Sequence, residues 1–156
     1  MGEYLVALES FAPIAALRFS RWSYAVLNAG HIFAIALLVG GSVPLALRLF
    51  GFWPTSPRED IVRVLTLTTG AGLGLALISG SLLFATRASE YAGNSALLVK
   101  LIFIGVGATS AIFAHSRHGW TLGSASDATA RRIAIISCLC WVGALVAGRM
   151  IAFMPG

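Results

Sequence analysis

Residues 28–51 read NAGHIFAIALLVGGSVPLALRLFG. The stretch opens on Asn28 and His31, runs apolar from Ile32 to Val39, and closes with Pro44 and Arg48. About 20 mostly apolar residues cross the hydrocarbon of a bilayer, and the run that begins at Arg21 meets that length. Trp22 and Tyr24 mark its start as an interfacial belt. A histidine inside such a run is informative, because an ionisable group in lipid is costly and marks a functional site by default.

Composition extends this reading to the whole chain. Of 156 residues, 58% are hydrophobic and 11% are charged, with a mean hydropathy of +0.86. Soluble domains carry about 25% charged residues, so lipid is the expected solvent. The net charge of +5 does not point to nucleic acid, because the arginines stand at segment ends, where they anchor to headgroups and set topology. Cys138 and Cys140, two apart in an apolar run, point to different sides of a helix and read as small buried hydrophobes.

Four spans are expected, at residues 21–43, 61–85, 95–115 and 131–153. Pro44, and the loop GFWPTSPRED with Pro54 and Pro57, end the first. Before it, residues 2–18 are too short and too interrupted by Glu3, Glu9 and Pro13 to cross, and read as a short N-terminal interfacial helix. The start lacks the basic region of a signal peptide. The fold class is therefore all-α: one four-helix transmembrane bundle with that interfacial helix, forming a single integral membrane domain over residues 1–156. Gly70 and Gly74 form GxxxG in the second span, and Gly72, Ala76 and Gly80 a second small row. Such rows let backbones approach closely, which predicts a central second span. Arg18, Arg21, Arg87, Lys100 and Arg149 fall on one side, and Arg48, Arg58, Arg63, Arg117, Arg131 and Arg132 on the other. The small excess leans toward cytoplasmic 44–60 and 116–130 loops.

Several stretches together carry a resemblance: HIFAIALLVGG followed by LRLFG, then SGSLLFATRASEYAGNSALLVKL, RHGW, and CWVGALVAGRMIAF. They resemble a family of bacterial four-span inner-membrane proteins, a domain of unknown function. More loosely they look like copper-resistance membrane proteins of the CopD kind and small b-type cytochromes. The resemblance implies a bacterial cytoplasmic membrane location, and no activity. Its pattern places an acid two residues before Arg48, where this chain has Ala46.

Enzymatic signatures are absent: there is no HExxH, GxSxG or phosphate loop, and no carboxylate lies within a span. The sharper feature is a polar cluster toward the N-terminal side. Asn28 and His31 share a face of the first span, and Lys100 and Arg149 arrive at similar depth from the third and fourth. Arg87, Glu90, Tyr91 and Asn94 would cap them. His31 and Arg149 are expected to face inward and share a pocket suited to a carbonyl or carboxylate. The functional expectation is an accessory or binding subunit with a polar pocket near one membrane face. Its partners would be the bilayer and another membrane subunit or a second copy.

Two alternatives remain. A redox protein would hold haem b or meet quinone; helical rise separates His31 and His115 by roughly 15 Å in depth, so His31 with Met150 is the pair to consider. A copper helper would use His31, Met150 and Met154.

Overall fold

The computed structural model describes residues 2–154, and these form an all-α chain of seven helices. They are α1 (Gly2–Ser10), α2 (Ala12–Phe19), α3 (Arg21–Phe50), α4 (Arg58–Thr86), α5 (Ala88–Tyr91), α6 (Ser95–His118) and α7 (Asp127–Met150). Helices α3, α4, α6 and α7 are each long and apolar enough to cross a membrane.

Local chemistry explains the boundaries and corrects several expectations. The expected single N-terminal helix is two. Phe11 adopts extended backbone, and Pro13 sits in the first turn of α2, where its missing N–H leaves no gap. Ser20 then caps α3, accepting from the Ser23 amide at 3.3 Å. Pro44 does not end α3; the helix runs on to Phe50. Leu45, Ala46 and Leu49, just beyond the proline, are core residues, and their burial holds the helix together past it; membrane helices tolerate the missing bond. The true stop is Gly51 at φ 104°, with Phe52 N–H reaching back to the Leu47 carbonyl at 3.2 Å, a glycine-terminated close of the Schellman type. Helix α7 begins four residues earlier than expected, because Ser126 accepts from Thr129 N–H and Asp127 occupies the positive first turn.

Packing runs α4–α3–α7–α6. Helix α3 lies along both α4 and α7, α6 packs on α7, and α4 and α6 share no packed face. The expectation of a central second span is therefore wrong, because α3 is the shared helix. Gly70 and Gly74 border open space. The contact row is the other one: a Cβ on Gly72 would collide with the α3 backbone at Leu38, and one on Gly80 would meet the His31 ring. On α3, Gly41 answers by seating Thr69, whose hydroxyl would lie 2.5 Å from an added Cβ.

At the end away from His31, Leu45, Leu49, Val62, Ala114, Leu122 and Ala130 belong to one apolar cluster. Leu122 takes a left-handed φ of 55° yet is 1% exposed; burying its side chain offsets the backbone strain. Buried Arg48 donates to the Phe52 and Ser56 carbonyls at 3.3 and 2.9 Å. Loop carbonyls are thus the partners of this guanidinium, and they fasten the 51–57 loop under α3.

Candidate functional site

Because α4 and α6 do not meet, the bundle interior is hollow along that side. Two chambers occupy it, one toward each end, and Leu73 and Trp141 line both. The larger, about 620 Å³, is walled by all four long helices and contains Asn28, His31, Lys100 and Arg149 in its lining. The structure therefore brings the four expected pocket residues to one cavity. Leu77 and Leu101, on the unpacked α4 and α6, are each about half exposed and also line it, so the chamber opens sideways between those helices.

His31 is half-buried, and its Nδ1 lies 2.8 Å from Ser79 Oγ. Ser79 donates its single proton to the Leu75 carbonyl at 2.6 Å. Toward the histidine it must therefore accept, so Nδ1 carries the imidazole proton. Nε2 is left as the titratable position, an acceptor in the neutral ring and a donor when protonated. The ring rests over Gly80: an added Cβ would stand 3.1 Å from Cε1. Lys100 is held similarly, with its aliphatic stem and Nζ against Gly148, 3.3–3.4 Å from where a Cβ would be. No acid lines the chamber, and among the described residues Lys100 forms no ion pair.

Arg149 differs from its expected role. It lines the chamber, but it is exposed and its guanidinium stacks 4.9 Å over the Phe153 ring. The interior cation is Lys100, and Arg149 stands at the rim, where a strongly basic guanidinium keeps access to water and headgroups.

The expected cap is also corrected. Arg87 pairs with Glu90 at 3.3 Å on the surface. Neither these two, nor Tyr91, nor Asn94 lines the chamber. Asn94 is structural: its Oδ1 accepts from the Ala96 and Leu97 amides, capping α6, and its Nδ2 donates to the Met154 carbonyl at 2.6 Å. Ser79, Gly80 and Gly148, which set the His31 ring and the Lys100 stem, carry little mark of that role in the sequence. The legible signal was the S-G-S run at 79–81, a hydroxyl beside a small-residue position within an apolar span.

The haem and copper donor sets do not assemble. His115, in the last turn of α6, lines the smaller chamber rather than that of His31. Met150 and Met154 are exposed and outside the lining of the His31 chamber, so neither expected thioether joins His31 there.

No family model, curated protein or solved structure matches this chain.

Proposed function

We propose that this chain is a small binding subunit of the bacterial inner membrane. It admits an anionic amphiphile from the bilayer, through the opening between α4 and α6, into the His31 chamber. One observation carries the reading: Lys100 lines a largely apolar chamber whose lining holds no acid, and among the described residues it has no ion-pair partner. A cation withdrawn from water without a partner is costly, and a carboxylate or similar head supplies that partner. His31 Nε2 gives the head a second, directional contact, and Arg149 at the rim guides it in. The alkyl tail lies along Ile35, Leu73 and Leu97, all lining residues.

The test is quenching of tryptophan fluorescence by a bromine-tagged long-chain carboxylate in nanodiscs, since Trp141 lines the chamber and is 2% exposed. Lys100→Ala should weaken binding about tenfold or more, the range for a charge-assisted hydrogen bond, and Lys100→Arg should retain most of it. Equal quenching by the methyl ester, or by the Lys100→Ala protein, overturns the reading.

A further inference from the structure

The smaller chamber, about 480 Å³, lies beyond Leu73 and Trp141 and is chemically unlike its neighbour: no charged residue lines it. Its polar groups are hydroxyls from three helices (Thr66 and Thr69, Ser110 and Ser116, Ser137), the indoles of Trp120 and Trp141, and the imidazole of His115. Thr66 decides the matter. It is 6% exposed, and its Oγ1 is buried without a hydrogen-bond partner. A helical threonine can always turn its hydroxyl back to the carbonyl four residues earlier, and Thr68 does so, reaching Val64 at 3.0 Å. Thr66 leaves that bond unmade. Thr69 also lines the chamber and its Oγ1 is also unpartnered, but that oxygen is packed into the α3–α4 seam against Gly41. His115 donates Nδ1–H to the Gly119 carbonyl at 3.4 Å, which leaves Nε2 of the neutral ring as an acceptor. A buried hydroxyl left unsatisfied is destabilising, and a volume near 500 Å³ is in the range of small-molecule sites.

We infer that this chamber is a second binding site, for an uncharged lipid-like molecule carrying a hydroxyl or carbonyl oxygen. That oxygen accepts from Thr66 Oγ1–H; where it is a hydroxyl, its proton goes to His115 Nε2. A charged head is disfavoured, because nothing in the lining would neutralise it. The site is independent of the Lys100 chamber and stands or falls separately.

The test is photolabelling in nanodiscs with azioctanol, an eight-carbon alcohol bearing a diazirine, read by peptide mass spectrometry. Label is expected on α4 residues 66–73 and α6 residues 107–116. Octanol competes, 2-octanone competes if the oxygen serves only as acceptor, and octanoate does not. Thr66→Val removes the hydroxyl at nearly constant volume and should weaken competition by octanol about fivefold, the scale of one hydrogen bond. Thr68→Val, whose hydroxyl is already spent on Val64, should leave it unchanged, as should Lys100→Ala. Unchanged midpoints of thermal unfolding across the three variants separate lost binding from lost packing. Label spread over lipid-facing residues such as Leu98 and Ile102, or equal competition in the Thr66→Val protein, overturns the inference.

Discussion

Gly72→Ala and Gly74→Ala place the same methyl two residues apart on α4 with opposite consequences. At Gly72 the new Cβ meets Leu38 N and stands 2.9 Å from the Ala34 carbonyl oxygen and from the Leu37 carbonyl carbon. All are backbone atoms that no rotamer change can move. Ordinary carbon contacts lie at about 3.5–4.0 Å, so α3 and α4 must separate locally by roughly 0.5–1 Å. A gap of that size forfeits a quarter to a half of each dispersion well, and each well is worth about 0.1–0.2 kcal/mol. With on the order of 30 atom pairs across the crossing, the loss is about 1–2 kcal/mol, within the usual cost of overpacking. At Gly74 nothing lies within 4 Å, and alanine is the better helix former, so stability should hold or rise slightly. The assay is reversible unfolding of both variants in bicelles. A Gly74→Ala protein as destabilised as Gly72→Ala, or a Gly72→Ala protein indistinguishable from wild type, would refute the α3–α4 seam as drawn.

Other consequences are equally direct. Gly80→Ala should crowd the His31 ring, lengthen its 2.8 Å bond to Ser79, and weaken binding of the tagged carboxylate several-fold with little change in unfolding midpoint; unaltered binding would remove His31 from the site. Asn94→Ala should cost about 1 kcal/mol through loss of the α6 cap and free the segment after α7, measured as faster amide exchange at 151–154. Glu9 accepts the Ser89 hydroxyl and amide at 2.6 and 2.8 Å and pairs with Arg18 at 2.9 Å. The Ser89 hydrogen bonds, and then the Arg18 charge, hold its carboxyl below the ordinary carboxylate value. Because the folded value lies below the unfolded one of about 4.3, the tie of α1 to α5 is complete above that value and is lost as pH falls through the lowered one. Proteolysis of α1 should accelerate only in that acid window, whereas Glu9→Gln should be labile already at neutral pH.

The sequence by itself determined the number and approximate extent of the spans, because bilayer thickness and hydropathy act on each segment alone. It also turned His31 inward, because desolvation disfavours turning such a group to lipid at any neighbour geometry, but it set Arg149 beside that ring, whereas the fold leaves Arg149 exposed at the rim and makes Lys100 the interior cation. Only the tertiary structure decided the rest. Gly70/Gly74 and Gly72/Ala76/Gly80 have the same four-residue spacing, yet the two rows lie about 200° apart around the helix, and which one is buried depends on where α3 sits. Arg48 carries no local sign that its partners are carbonyls four and eight residues on. The chambers are likewise invisible in the sequence: they exist because α4 and α6, joined through the short α5 turn, each pack elsewhere and leave space between them. Hydropathy specifies that a helix is buried in lipid, whereas the shape of its neighbours specifies which face touches protein and which borders a void.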